Sequence, residues 1–98
     1  MDAITLEDTQ AVELRQNGKS FGSIARRLGY ERPREAWLAF NRGLRSQEPE
    51  QQAVLRRDEM GRLEALTEAI KARADFSAEE QVRRLATVEK MRVRLLTV

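Results

Sequence analysis

Basic side chains are concentrated in one segment of this 98-residue chain, between positions 15 and 45. The segment holds eight basic residues and two acidic ones, whereas the net charge of the whole chain is only +2. The basic residues are Arg15, Lys19, Arg26, Arg27, Arg32, Arg34, Arg42 and Arg45. Because a guanidinium group can donate paired hydrogen bonds to a phosphate or to guanine, this cluster predicts a nucleic-acid-binding surface. A solvated face in an arginine-rich protein, with fifteen Arg against three Lys, is the alternative interpretation.

Catalytic chemistry has little support in the composition. Histidine and cysteine are both absent, which excludes disulfides, thiolate chemistry and zinc sites built from these residues. The most common general base is absent for the same reason. The carboxylates lie beside arginines on helical patterns, and a chain this short forms few deep pockets. We therefore expect no enzymatic activity, no cofactor and no bound metal ion.

Turn signals divide the N-terminal half into three short helices. The boundaries are Thr5 and Asn17-Gly18 for the first helix, Ser20 and Gly29 for the second, and Pro33 for the start of the third. Thr5 and Asp8 form a capping-box pattern, and Ser20 is a favourable N-cap. Gly29 allows the positive φ of a sharp turn, and Pro33 suits the first position of a helix.

The third predicted helix has an apolar side and a basic side. Ala36, Trp37, Phe40 and Leu44 fall within an arc of about 100° when each residue turns the helix by 100°. The opposite side carries Arg34, Leu38, Asn41, Arg42 and Arg45. Because Trp37, Phe40 and Phe21 lie on inward faces, we expect them to be core residues rather than platforms on which bases stack.

Two short helices joined at a glycine, the second with outward arginines, are typical of a helix-turn-helix. Ala25 is small enough for the second and third helices to cross closely. With the third helix in the major groove, we expect Arg34, Leu38, Asn41, Arg42 and Arg45 at the DNA, where Arg and Asn contact base edges or phosphates. We assign Lys19, Ser20, Arg26, Arg27 and Arg32 to phosphate contacts. A three-helix bundle that binds another protein is the alternative.

The C-terminal half predicts two longer helices. After a polar hinge over residues 46–49, Pro49 opens a fourth helix with an apolar stripe of Leu55, Leu63, Leu66 and Ile70, which Glu59 interrupts. Ser77 and Glu80 form a capping box for a fifth helix. Its apolar residues fall on two faces, one with Val82, Leu85, Ala86, Val93 and Leu96, the other with Val88, Met91 and Leu95. One face can pack on the fourth helix, and the other needs the N-terminal domain or a second subunit.

These patterns predict an all-α protein with an N-terminal three-helix helix-turn-helix domain over residues 1–46. An antiparallel helical hairpin over residues 47–98 follows it. We expect the hairpin to mediate oligomerisation, since a second subunit would complete a thin core, although a stabilising appendage is the alternative. The contact residues would be Leu55, Leu63, Leu66, Ile70, Val82, Leu85, Val88 and Leu95. Because there is no run of 18 apolar residues and no signal-peptide pattern, we expect a cytoplasmic protein.

The segment Ala11–Leu44, AVELRQNGKSFGSIARRLGYERPREAWLAFNRGL, resembles the N-terminal domain of small terminase subunits from tailed phages and prophages of actinobacteria. The pattern G-Y-x-x-x-x-x-A-[aromatic], at Gly29, Tyr30, Ala36 and Trp37, carries most of the resemblance. The strings L-E-A-L at 63–66 and M-R-V-R-L-L at 91–96 resemble the helical tail of the same group.

The resemblance implies a role in viral genome packaging. A small terminase subunit recognises the packaging site on double-stranded phage DNA, assembles as a ring or other multimer, and delivers DNA to the large terminase subunit. The large subunit carries the ATPase and nuclease, and this chain has no G-x-x-x-x-G-K-[ST] phosphate loop of its own. Two alternatives are a phage-type transcription regulator or recombination directionality factor that acts as a dimer, and an adaptor that binds protein and no DNA.

Overall fold

The computed structural model describes residues 4–97, which form five α-helices and no β-strand. The helices are α1 (Leu6–Gln16), α2 (Phe21–Leu28), α3 (Pro33–Arg45), α4 (Pro49–Ala72) and α5 (Ala78–Leu96). The predicted all-α class is confirmed for this part of the chain. None of the helices in residues 4–97 is long and apolar enough to cross a membrane.

The predicted helix boundaries are confirmed by capping interactions. The Thr5 hydroxyl accepts a hydrogen bond from the Asp8 N–H at 3.1 Å, and the Asp8 carboxylate accepts one from the Thr5 N–H at 3.3 Å. The Ser20 hydroxyl accepts from the Ser23 N–H at 3.1 Å. Gly18 and Gly29 have positive φ angles of 84° and 81°, as the ends of α1 and α2 require.

The chain divides into two compact units, one up to Gln52 and one from Ala53. The division falls within the first turn of α4, whereas the sequence predicted a boundary between residues 46 and 47. Gln52 accounts for the difference, because its side-chain amide donates to the carbonyl of Arg45 at 3.2 Å and of Gln47 at 2.7 Å. These bonds join the start of α4 to the end of α3.

The core of the first unit forms where α3 packs against both α1 and α2. Its buried apolar residues are Ala11, Val12, Ile24, Ala25, Ala36, Ala39, Phe40 and Leu44. Phe40 is fully buried, and its ring meets that of Phe21 edge to face with 5.7 Å between centroids. Trp37 is only partly buried, so the expectation that it is a core residue is met only in part.

Helices α1 and α3 approach each other closely at Gly43. A Cβ atom at this position would lie 2.5 Å from the Asp8 carbonyl oxygen and 2.6 Å from Cγ2 of Val12. Only glycine fits such a distance without a shift of the backbone. The sequence predicted a close crossing at Ala25, which is indeed buried, but did not indicate the close approach at Gly43.

In the second unit, two hydrogen bonds connect α4 and α5 in an antiparallel sense. The Arg56 guanidinium donates to the Leu95 carbonyl at 3.0 Å, and the Gln81 amide donates to the Lys71 carbonyl at 3.5 Å. Each contact joins the start of one helix to the end of the other. Glu59, which interrupts the apolar stripe of α4, is buried and accepts a hydrogen bond from Arg62 at 3.2 Å.

Most of the residues predicted to mediate oligomerisation are covered within the chain itself. Those that are buried are Leu55, Leu63, Ile70, Val88 and Leu95. Leu85 is partly buried, whereas Leu66 and Val82 are 44% and 68% exposed. The five buried residues are therefore covered by the fold of the chain itself. The expectation that they line a subunit contact is corrected accordingly.

Candidate nucleic-acid interface

The segment from α2 to α3 turns sharply and leaves its basic residues on the outside. Ile24 and Ala25 are the buried residues of α2. After α2, Gly29 adopts the left-handed conformation and the Tyr30 N–H donates to the Ala25 carbonyl at 2.8 Å. Pro33 then opens α3. The exposed basic residues of this segment are Lys19, Arg26, Arg27, Arg32 and Arg34, and Ser20 and the acidic Glu31 are exposed as well.

Gly22 marks the point where the start of α2 approaches the start of α3. A Cβ atom at Gly22 would lie 3.7 Å from Nη1 of Arg26, 3.9 Å from Oγ of Ser20 and 4.0 Å from Cγ of Pro33. The Arg26 guanidinium and the Pro33 ring therefore both lie near Gly22 at the start of α2. Helix N-termini attract anions through their unpaired N–H groups and the helix dipole. Ser20, Arg26 and the start of α3 thus form one electropositive area, to which sequence reasoning had not assigned Gly22.

Three of the five α3 residues that we predicted to contact DNA are clearly on its outer face. Arg34 is exposed, and Leu38 and Arg45 are partly exposed. The Arg34 guanidinium lies over the Trp37 ring at 5.5 Å from its centroid, a cation–π contact that orients the side chain. Trp37 therefore has a second role besides its partial burial, because it supports an arginine of the basic face.

Asn41 does not lie on the outer face, so the predicted face is corrected at this residue, whereas Arg42 is partly exposed and its predicted DNA contact stays a prediction. Asn41 is buried, and its side-chain amide donates to the Trp37 carbonyl of its own helix at 2.9 Å. Arg42 turns toward α1, where its guanidinium donates to the Asp8 carboxylate from Nε at 3.2 Å and from Nη2 at 3.0 Å. The buried side of α3 is wider than the aromatic residues alone indicated, because Ala39 and Gly43 also pack inward.

The Asp8 carboxylate is fully buried and ionised. Burial by itself would raise its pKa, but the hydrogen bonds from Arg42 and Thr5 and the positive charge of Arg42 hold the pKa below the ordinary value of 3.8. Burial and the negative charge of Asp8 raise the pKa of the nearby Tyr30 phenol. The Arg42 side chain itself is 39% exposed at the other end of this pair. The ion pair fixes the orientation of α3 on α1. It involves Arg42, which we had predicted to contact DNA.

Arg27 faces a different surface from its neighbour Arg26. It lines a shallow polar concavity of about 470 Å³ together with Glu7 and Glu13 of α1. Two carboxylates beside Arg27 reduce the positive potential that it presents to a polyanion. Lys19, Ser20, Arg26, Arg32 and Arg34 are thus exposed between the start of α2 and the start of α3, together with Glu31. Arg27 lines the concavity at α1, Asn41 is buried and Arg42 is bonded to Asp8.

The sequence analysis did not assign a role to Gly22 near the basic area or to Gly43 at the contact of α1 with α3. It recognised only part of the role of Asp8. The capping box pointed to Asp8, but only as a local helix cap. Its pairing with a residue 34 positions away leaves no local pattern.

In comparisons with known proteins, no family model, no curated protein and no solved structure matches the chain.

Proposed function

We propose that the protein binds double-stranded DNA through a helix-turn-helix formed by α2 and α3. The observation that supports this most directly is the exposed basic area at the starts of these two helices, formed by Lys19, Ser20, Arg26, Arg32 and Arg34. Guanidinium groups and helix N-termini both provide hydrogen-bond donors to the phosphates of a duplex. The buried side of α3 holds the helix firmly against the rest of the unit.

With α3 in the major groove, three side chains are in place to read base edges. Arg34 and Arg45 can each pair with guanine, and Leu38 between them offers an apolar contact to a thymine methyl group. They lie on the one side of α3 that is not packed against α1 or α2. Arg42 supports this arrangement through Asp8.

We further propose that the DNA bound is a phage packaging site and that the chain is a small terminase subunit. The resemblance of residues 11–44 to that group supports this assignment, and the exposed basic area agrees with it. In this role the protein works in the host cytoplasm as a ring or other multimer and delivers DNA to the large terminase subunit. Neither Leu66 nor Val82 is covered within the chain, which leaves apolar surface for contacts between subunits.

A dimeric helix-turn-helix regulator or recombination directionality factor is the second candidate. Such proteins bind paired half-sites about one helical turn apart. An exposed apolar face on α5 favours it, because one such face suffices for a dimer. Light scattering in the presence of the bound DNA separates the two, since an assembly much larger than a dimer supports packaging.

The DNA-binding proposal is tested by gel shift with duplex fragments that cover the genome encoding the chain. Arg34→Ala should weaken binding to the preferred fragment by about 1–3 kcal/mol. Arg57→Ala is the matched control, because Arg57 is an equally charged and well-exposed residue of α4 outside the basic area. Equal affinity of both variants, or no binding of the unmodified protein to any fragment at low salt, would contradict the proposal and favour a protein-binding adaptor.

A further inference from the structure

Helix α5 carries exposed apolar side chains along one side, with Glu89 between them. We call this side the outer α5 face and define it by Val82, Ala86, Val93 and Leu96. The exposed fractions of Val82, Val93 and Leu96 are 68%, 56% and 59%. The other apolar side of the same helix, with Val88 and Leu95, is buried. A helix that exposes three large apolar side chains along one side presents a binding surface rather than a solvated one.

The geometry points to a second copy of this chain as the occupant, with the two α5 helices side by side and antiparallel. This inference rests on the self-association included in the proposed function and specifies its surface. At 100° per residue the four residues of the outer α5 face fall within an arc of about 80°. A twofold axis between residues 87 and 88 places Val82 of one copy opposite Val93 of the other, at both ends of the contact. The same register places Ala86 opposite Glu89 and Leu96 opposite Glu79, so the apolar part of the contact consists of the two Val82–Val93 pairs.

Charge favours the antiparallel orientation. The first turn of α5 contains Glu79 and Glu80, and its last turn contains Arg94. In an antiparallel pair the acidic start of each helix lies beside the basic end of the other, and the helix dipoles also oppose each other favourably. In a parallel pair, like charges and like dipole ends would meet. The one acidic side chain that interrupts the face, Glu89, is already matched by Arg92 of the same helix at 3.2 Å.

The size of the side chains permits close approach. Val82, Ala86 and Val93 are short, so the two backbones can come near each other along the whole length of the contact. A twofold contact closes on itself and produces a dimer. A larger assembly would combine this contact with a different surface of the chain.

Cysteine cross-linking tests the orientation directly, because the natural sequence contains no cysteine. We would prepare Val82→Cys and Val93→Cys as separate full-length proteins, mix them and oxidise them under mild conditions without DNA. In the antiparallel pair, the two different cysteines face each other, so the mixed disulfide should be the main product. Two Val82→Cys chains should not cross-link, because their thiols would be about 16 Å apart along the helices. Homodisulfides as the main product, or no cross-link in the mixture, would overturn the inference.

Sedimentation velocity tests the surface independently. The unmodified protein should sediment as a species heavier than the 11.3 kDa monomer at high concentration. Val93→Glu should weaken this association by roughly tenfold or more, because an unpaired carboxylate would be buried in the contact. Leu6→Glu is the matched control, since Leu6 is 69% exposed on α1, outside the face, and circular dichroism should show equal helix content in both variants.

The two proposals fail separately in these experiments. A protein that is monomeric at all concentrations, or an association that Val93→Glu leaves unchanged, would overturn the α5 contact and leave DNA binding by the first unit unaffected. If the protein binds no DNA but the mixed disulfide still forms, the DNA-binding proposal fails and the α5 contact stands.

Discussion

Asp8 of α1 and Arg42 of α3 form the ion pair that holds the candidate DNA-reading helix in place. The Arg42 guanidinium donates from Nη2 at 3.0 Å, and the carboxylate that accepts it is fully buried. The same carboxylate also accepts the N–H of Thr5 and so completes the cap of α1. One acidic side chain therefore fixes both the start of a helix and the packing of that helix on its neighbour.

Removal of the arginine should destabilise the first unit. Arg42→Met leaves the buried Asp8 carboxylate without its charged partner, and we expect the free energy of unfolding to fall by about 1.5–3 kcal/mol in urea titration. Arg57→Met is the control, because the Arg57–Asp58 pair is exposed, and it should change stability by less than about 0.5 kcal/mol. A similar, small effect of both changes would show that the pair does not stabilise the fold.

The ion pair also predicts how stability depends on pH. The pKa of Asp8 is lower in the folded protein than the ordinary value of 3.8. Its stabilising contribution is therefore complete above about pH 4 and is lost as the pH falls through the lower folded value. Asp8→Asn should be less stable than the unmodified protein at pH 7, and the difference should shrink below pH 4. Thermal unfolding followed by circular dichroism measures both, and a difference independent of pH would contradict this account.

Two glycine-to-alanine changes should have opposite effects. At Gly43 a Cβ would meet the Asp8 carbonyl oxygen at 2.5 Å, so Gly43→Ala should push α1 and α3 apart and cost about 1–3 kcal/mol. Gly61 lies inside α4 with no atom of another residue near its missing Cβ. Gly61→Ala should stabilise the helix by about 0.5–1 kcal/mol. Chemical denaturation of both variants tests the prediction, which fails if Gly43→Ala is neutral.

The aromatic residues of α3 should differ in their contribution to stability. Phe40 is fully buried against Phe21, and Phe40→Ala should cost about 3–5 kcal/mol. Trp37 is partly exposed, so Trp37→Ala should cost less than Phe40→Ala. Tryptophan at 37 also supports Arg34, and its removal should weaken DNA binding as well. Unfolding curves and gel shifts on the same two proteins measure both effects, and a larger cost at Trp37 would show that the core is wrongly identified.

Arg26 and Arg27 are adjacent in the sequence and should differ at the DNA. Arg26 lies near Gly22 at the start of α2, whereas Arg27 lies beside Glu7 and Glu13. Arg26→Ala should lower the slope of log affinity against log salt concentration by about 1, as expected for one lost phosphate contact. Arg27→Ala should leave the slope nearly unchanged. Equal slopes for the two variants, measured by fluorescence anisotropy, would remove Arg26 from the interface.

The helix boundaries were predictable from sequence because capping is a local interaction. Thr5 with Asp8, Ser20, Gly29 and Pro33 each act within a few residues of their own position, and each does in the structure what its residue type predicts. The concentration of arginine between positions 15 and 45 was equally visible. These signals were sufficient to predict the helical class and to locate the basic segment.

The inward direction of α3 depended on tertiary packing. The periodicity of large apolar residues predicted that Trp37 and Phe40 lie on the buried side of α3. It placed Asn41 and Arg42 on the exposed side. In the folded unit two helices pack on α3, and the small residues Ala39 and Gly43 are buried, with α1 close to Gly43. Small residues contribute little to an apolar pattern, although they are the ones that permit close contact.

The sequence by itself determined where the helices begin and end and which segment carries the positive charge, because both follow from residues near one another in the chain. Only the tertiary structure decided which arginines face solvent and that Arg42 neutralises the buried carboxylate of Asp8. An ion pair between positions 8 and 42 depends on how two helices cross, and that crossing is set by the combined packing of residues from three helices.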